Sequence, residues 1–343
     1  MDSQHREQLR ERLSSHPVLC SLRGLGRHLP ERELTNSDME KMVDTSDEWI
    51  VQRTGISSRR ILADDEITSD LASAAAKRCM EDAGVTKDDI DALIIATITP
   101  DHICPSTACV VQRKLGMENI PAFDISVACS GFGYGLTVGG SLVKSGLYKN
   151  VLVVGAEAMS RFMDYEERSV SILFGDGAGA ALLAKDGRYD MLFTANGADG
   201  GMADMIEIPG GGAREPASQK TLDERRHFVR LRGREVFKTA VRQMSQSTRE
   251  ACETLGITPQ DLDWFIPHQA NARIIEAVGD QLELPTDRVI IDLGDKGNTT
   301  AASIPIALTG LHNDKRFEPG DLIGLVGFGA GAAWSCQVLR FNG

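Results

Sequence analysis

The chain has 343 residues, 42% hydrophobic and 25% charged, enough apolar material for more than one core-forming unit, which excludes a disordered or low-complexity protein. A net charge of −12 excludes nucleic acid as the first partner to consider, so an anionic partner must be met by a local basic patch. No apolar run approaches the roughly 18–20 residues of a membrane helix, and seven cysteines scattered from Cys20 to Cys336 without CxxC spacing fit a reducing, cytoplasmic setting better than a disulfide framework or zinc site.

Residues 1–16 carry both charge signs and no apolar h-region, and read as a flexible extension rather than a signal peptide or membrane anchor. A helix is predicted over 69–83, ending near Gly84, followed by a short acidic connection and the apolar strand ALIIAT. Strands come next at PAFDIS, before Cys129, and at NVLVVGAE from Asn150. The Gly-rich stretch 197–216 reads as a loop system. Helices over 234–255 and 270–282 flank the strand WFIP, and RVIIDL from Arg288 and DLIGLVGFG from Asp321 are the last strand candidates. The whole is an alternating α/β chain. It also resembles itself: AGVTKDDIDALIIAT from Ala83 returns as LGITPQDLDWFIPHQ from Leu255, and GDGAGAALL from Gly175 returns as GFGAGAAWS from Gly327. Two echoes in the same order indicate two related halves, divided as 17–190 and 191–343.

Cys129 stands in FDISVACSGFGYGL, where a strand-like run gives way to a small-residue segment. A thiol at a helix N-terminus meets the positive end of the macrodipole and free backbone N–H groups, both of which favour thiolate. Glycines at 131, 133, 135, 139 and 140 each weaken an isolated helix by up to ~1 kcal/mol relative to Ala, so dense packing must hold this one. Taken alone, Cys129 also reads as a small core residue, His268 as a buried strand-end histidine and Asn298 as an N-cap. His268 follows WFIP, and its counterpart in the internal repeat is the apolar Ala96. Three polar groups at the C-terminal ends of strands can converge, because open α/β folds place their sites there.

DISVACSGF, PHQANARII, KGNTTAAS and the closing GFGAGAAW resemble the motifs of β-ketoacyl-[acyl-carrier-protein] synthase III, within the thiolase superfamily. The likeness runs from DTSDEWIVQRTGI to the C-terminal RF and covers nearly all of the chain outside the extension. It implies an α/β thiolase-like fold of αβαβα layers made from two duplicated halves, a homodimer, and catalysis by Cys129, His268 and Asn298. Thiolases use a second Cys, elongating ketosynthases two His and hydroxymethylglutaryl-CoA synthases a Glu. Chalcone-synthase-like enzymes share Cys, His and Asn, but the DEWI and HQAN segments favour synthase III. Papain-like hydrolases share the residue types too, and the duplicated α/β pattern disfavours them.

The implied reaction transfers an acyl group from acyl-CoA to Cys129 and then condenses it with malonyl-acyl carrier protein. CoA and carrier-protein thioesters act as substrates, and no bound cofactor or metal is needed. Backbone N–H groups at Cys129 and Ala330 form the implied oxyanion hole; Ala330 stands where relatives often have Gly. By the same resemblance Trp49 and Arg53 hold the CoA adenine with Arg168 beside them, and Asn271, Gly233 and Phe237 line the pantetheine tunnel. Between Arg225 and Arg249 eight Arg or Lys face the single acidic Glu235, and Arg234, Lys238 and Arg242, spaced by four, share a helix face. Lys238 and Arg273 match family positions that dock the acidic carrier, whereas Asp280 and Gln281 stand where well-known members carry two Lys. Cys104 replaces a bulky Phe that floors the acyl pocket across the dimer in short-chain-selective relatives, implying primers longer than acetyl. Other readings are a secondary-metabolism homologue that uses another acceptor and a non-catalytic CoA or carrier-protein binder.

Overall fold

A computed structural model describes residues 3–343. Nine strands form the framework: β1 (Ser21–His28), β2 (Ala92–Ala96), β3 (Ala122–Ile125), β4 (Val151–Glu157), β5 (Gly177–Ala184), β6 (Tyr189–Ala198), β7 (Trp264–Pro267), β8 (Leu322–Gly329) and β9 (Ala333–Phe341). Their order is β7-β8-β9-β6-β1-β5-β4-β2-β3. Hydrogen bonds run through all nine, but β1 and β6 share only Ser21↔Asp190 and Leu22↔Tyr189. β6 pairs with β9 along its length, so it belongs with the second half. The connection between β5 and β6 spans 185–188.

Eight longer helices accompany the strands: α1 (Ser3–Ser14), α2 (Asp47–Thr54), α3 (Thr68–Ala83), α4 (Thr107–Leu115), α5 (Gly131–Lys144), α6 (Gly233–Leu255), α7 (Ala272–Gln281) and α8 (Ser303–Asn313). Helix α3 packs on β1, β4 and β5, and α4 on β2 and β3, while α6 covers β6, β8 and β9 with α7 against it. Helix α5 touches β2, β4 and β5 of the first half and β6, β8 and β9 of the second; α8 likewise reaches β1, β5 and β7. The layers are thus αβαβα, with α5 and α8 in the middle.

The repeat seen in the sequence is a repeat of capping chemistry. Helices α3 and α6 end on left-handed glycines, Gly84 (φ +66) and Gly256 (φ +65). Each is followed by a turn in which an Asp carboxylate accepts from a Thr three residues earlier. Asp89 takes the N–H and hydroxyl of Thr86 (both 2.8 Å), and Asp261 those of Thr258 (2.8 and 2.9 Å). The strands β2 and β7 then begin.

The glycines of α5 are explained by its central position. A Cβ on Gly133 would lie 2.6 Å from Ser335 Cβ in β9, and one on Gly135 2.6 Å from Val153 in β4, so the helix is pressed from both sides. Two sequence expectations change. RVIIDL is not a strand: it makes one bridge, Phe265↔Val289, after which Ile290 O and Asp292 N bond the side-chain amide of Gln269 (3.0 and 2.6 Å) in place of a ladder. The stretch 1–16 is not frayed where it is described. Leu9 and Leu13 are buried in the second-half core, Arg6 pairs with Asp263, Arg10 lies 3.4 Å from Asp321, and Arg340 Nη1 donates to Leu13 O (2.6 Å).

The halves also meet backbone to backbone at Gly155, where a Cβ would stand 2.4 Å from Ala301 O. Gly155→Ala is expected to cost about 1–3 kcal/mol, the range for overpacking, read as a lowered Tm in thermal melting; an unchanged Tm would show that the two layers can part there.

Candidate active site

Cys129, His268 and Asn298 line one cavity of about 870 Å³. All three are buried, at 8%, 2% and 5% exposure respectively. Cys129 lies on the 3-10 turn Ala128–Ser130 that leads into α5, and Asn298 just precedes the turn Thr300–Ala302 that leads into α8. The two corners are built alike. Each opens with a non-glycine residue in the left-handed region, Ala128 and Thr300, both at φ +46, a conformation that costs about 1–2 kcal/mol and that the surroundings must hold. Cys129 and Ala301 occupy the equivalent next position, as His268 and Ala96 do after β7 and β2. One half supplies a reactive group where the other supplies a methyl.

The surroundings that hold the cysteine corner come from the second half. Ser130 Oγ donates to Ala333 O (2.9 Å), and a Cβ on Gly329 would sit 2.6 Å from Cys129 N. Burial, and after it the nearby Glu157, push the Cys129 thiol up from its ordinary range, against the dipole of α5. The resting group is therefore the thiol, although its helix position alone argues for thiolate.

His268 continues the β7–β8 ladder through its N–H to Val326 O (2.8 Å). Burial lowers its ring to about 3, so the imidazole is neutral at physiological pH. Its Nδ1 lies 2.7 Å from Ser303 Oγ, and Ser303 Oγ also accepts the N–H of Gln269 (3.3 Å). The Ser303 hydroxyl has no other acceptor among the described residues, so it donates to Nδ1, and the network assigns the Nε2–H tautomer. Asn298 is fixed the same way. Its N–H donates to Leu173 O (2.8 Å) and its Oδ1 accepts from Thr300 N (2.9 Å), which leaves Nδ2, donating to no described residue, as the end available to a ligand. Sequence reading missed Ser303 and Thr300; the available signal was a hydroxyl at the start of the otherwise apolar SIPIAL segment.

The remaining sequence-predicted residues divide. Trp49, Arg53, Gly233, Phe237, Asn271 and Ala330 line the same cavity. Asn271 is also structural: its Oδ1 caps α7 at Arg273 N (2.9 Å) and its Nδ2 donates to Arg53 O (3.1 Å). Arg53 and Arg168 place their guanidinium carbons 5.0 and 4.7 Å from the Trp49 ring. A stacked base between Trp49 and Arg168 needs about 7 Å, two contacts of about 3.5 Å, so Arg168, held by Asp44 O (2.7 Å), must swing aside to admit one. Cys104 is exposed and outside the cavity of its own chain.

The basic stretch is narrower than its composition suggests. Arg225 pairs with Asp164 and Glu166, Arg226 with Glu215, and Arg232 with Asp204 and Glu235. Arg234, Lys238 and Arg242 remain as an exposed strip on α6 with no ion pair among the described residues, and Arg234 and Arg273 stand at the cavity. Among the described residues no group of His, Cys, Asp or Glu is arranged to hold a metal.

Two halves of one design, with unlike residues at their matching corners and a dry thiol between them, define a thiolase-fold condensing enzyme. Family models described as 3-oxoacyl-[acyl-carrier-protein] synthase III and its C-terminal part match residues 123–200 and 252–341. The chain is 48% identical to the β-ketoacyl-[acyl-carrier-protein] synthase III of Caldanaerobacter subterraneus subsp. tengcongensis, over 95% of this chain and 98% of that one. It is 49% identical to the enzyme of the same name from a Sulfurovum species, over 95% and 97%. The crystal structure of 3-oxoacyl-[acyl-carrier-protein] synthase III from Aquifex aeolicus superposes with a TM-score of 0.86 at 42% identity, covering 94% of this chain and all of that one. The chain belongs to the β-ketoacyl-[acyl-carrier-protein] synthase III family.

Removing the hydroxyl that fixes the imidazole, in Ser303→Ala, is expected to slow condensation about tenfold, the effect of one neutral hydrogen bond, while acylation of Cys129 is retained. The lowered ionisation of His268 keeps the donating Nε2–H present throughout pH 5–8. The His268 ring is therefore expected to show no titration in that range when its own resonances are followed by NMR, and a midpoint near 6.5 would mean that the ring is solvated.

Proposed function

We propose that the chain joins an acyl-CoA primer to malonyl-acyl carrier protein with loss of CO2, giving a 3-oxoacyl-acyl carrier protein and initiating fatty-acid synthesis. In the first half-reaction Cys129 Sγ attacks the acyl thioester, the proton of the thiol passes to the departing CoA sulfur, and an acyl-cysteine remains. The backbone N–H groups of Cys129 and Ala330 face the tetrahedral oxyanion. In the second half-reaction the malonyl carboxylate leaves as CO2, and its electron pair becomes an enolate on the thioester. Nε2–H of His268 and Nδ2–H of Asn298 donate to that oxygen. The carbanion attacks the acyl-cysteine, and the Cys129 sulfur departs and recovers a proton.

The observation that carries this reading is the pairing of two neutral donors beside a buried thiol. An imidazole with Nδ1 engaged by Ser303 and a proton on Nε2 has no free lone pair to take the proton of the thiol, as a cysteine protease requires, but its N–H stabilises an oxyanion. The apolar cavity receives the acyl and pantetheine chains, with Trp49, Arg53 and Arg168 toward the adenine and Gly233, Phe237 and Asn271 along the arm. Arg234, Lys238, Arg242 and Arg273 offer the acidic carrier protein a cationic strip. Cys104, in place of a bulky Phe, supports primers longer than acetyl. A homodimer is supported by β3, which pairs with β2 alone and leaves its outer edge open, and by Ile103, which is 88% exposed. No described helix is long and apolar enough to cross a membrane, in keeping with a cytoplasmic setting.

Incubation with acyl-CoAs of increasing length, followed by intact mass, is expected to acylate the wild type at Cys129 and to leave Cys129→Ser without acyl-thioester. Asn298→Ala is expected to acylate normally but to release CO2 about 10²–10³-fold more slowly, the cost of losing one oxyanion donor. Acylation without malonyl-dependent CO2 release in the wild type would instead make the chain an acyltransferase with another acceptor.

A further inference from the structure

The mechanism leaves several buried ionisable groups unused, and one of them acts on the Cys129 thiol. Glu157, the last residue of β4, is fully buried. Oε2 accepts the hydroxyls of Thr99 (2.6 Å) and Thr97 (3.2 Å) and the N–H of Ile98 (3.2 Å), whereas Oε1 receives only a longer contact from Ile98 N (3.3 Å). No cation faces it. Thr300 lies beside the carboxyl, its buried hydroxyl outside ordinary hydrogen-bond geometry but near enough to act on the ionisation of Glu157, and its backbone N–H is the group that fixes Asn298 Oδ1. A buried carboxylate without a counter-ion is costly, and a carboxylic acid with a neighbouring free hydroxyl is not.

We propose that Glu157 is a positioning residue that works protonated: its O–H goes to Thr300 Oγ1, bracing the turn that aims Asn298, and its neutrality keeps a second negative charge away from the Cys129 sulfur. The proposal rests on the reaction assigned above for its effect on turnover, but not for its effect on the thiol. Burial raises the Glu157 carboxyl to about 7, so it holds its proton up to neutrality. The titratable group facing it is Cys129, on the turn before α5. The other titratable groups on neighbouring elements have partners of their own. Asp124 on β3 is taken by Thr107 N and Ala108 N, Asp176 before β5 by Ser160 and Leu62 N, and His268 is neutral and engaged by Ser303.

The test is the pH dependence of Cys129 alkylation by iodoacetamide, alongside turnover. In the wild type Glu157 ionises as pH passes neutrality and opposes the thiolate. Glu157→Gln, which keeps an acceptor and a donor but cannot ionise, is expected to move the alkylation midpoint down by about one pH unit, the size of one nearby like charge. Glu157→Ala is expected to lose on the order of tenfold or more in kcat, with Glu157→Gln recovering most of that loss. Thr300→Val is expected to slow CO2 release without moving the midpoint. The sign for stability is also fixed: unfolded, the carboxyl ionises near its ordinary value, so the wild type loses stability relative to Glu157→Gln as pH rises from there to about 7. The melting temperature of the Gln variant should therefore exceed that of the wild type at pH 8, with the gap closed at pH 4. An unmoved midpoint in Glu157→Gln, or turnover in it as low as in Glu157→Ala, would overturn the proposal. Because alkylation needs no substrate, failure of the condensation assignment would leave this readout intact.

Discussion

Backbone meeting backbone between the two central helices and the sheets that enclose them is the constraint on which the site depends. Gly155 admits Ala301 O and Gly329 admits Cys129 N at distances where a Cβ would have stood 2.4 and 2.6 Å away. Interiors packed at crystal-like density transmit such contacts rather than absorb them. That is why Ala128 and Thr300 can be held left-handed without glycine. Each strained corner is pinned by the other half of the molecule, and the catalytic atoms inherit their positions from that mutual support.

The same packing sets the electrostatics. Desolvation pushes every ionisable group at the base of the cavity toward its neutral form: the thiol of Cys129 and the carboxyl of Glu157 upward, the ring of His268 downward. Below neutrality these three groups are therefore neutral, and what they present is fixed dipoles. Charge enters with the substrate, as a malonyl carboxylate that becomes an enolate, and it meets donors that are already oriented. In a dry site such donors are worth far more than in water, because no solvent has to reorganise as the charge forms. A permanently ionised His268 or Glu157 would instead have to be compensated in every state of the cycle.

Much of this was legible in the sequence because the information was local. The Gly84 and Gly256 caps and the Thr86–Asp89 and Thr258–Asp261 turns recur within short windows, so the duplication showed itself. Cys129, His268 and Asn298, which the fold brings to one cavity, also each lie inside a contiguous motif. What failed to show was nonlocal. RVIIDL has the composition of a strand, yet its ladder partner is the Gln269 side chain. The first residues look too polar to fold, but Leu9 and Leu13 share a helix face and Arg6 finds Asp263 at a separation of 257 positions. Ser303 acts on His268 from 35 positions away, and nothing in either segment announces the bond. Burial, which decides protonation, is likewise a property of the assembled layers.

Charge distribution follows the same logic at the surface. A chain of net charge −12 repels an acidic partner over most approaches. Internal pairing then consumes Arg225, Arg226 and Arg232, while Arg230 and Arg249 donate to the backbone carbonyls of Glu224 and Gln281, leaving the strip Arg234, Lys238 and Arg242, with Arg273 beside the cavity. For an acidic carrier this contrast matters more than the size of the patch. Attraction confined to one place and repulsion elsewhere select an orientation, and complementarity of this kind acts on encounter and register more than on final affinity. Arg234 and Arg273 line the cavity that Cys129 also lines, so the cationic strip adjoins that cavity, the placement that the proposed docking of a carrier requires.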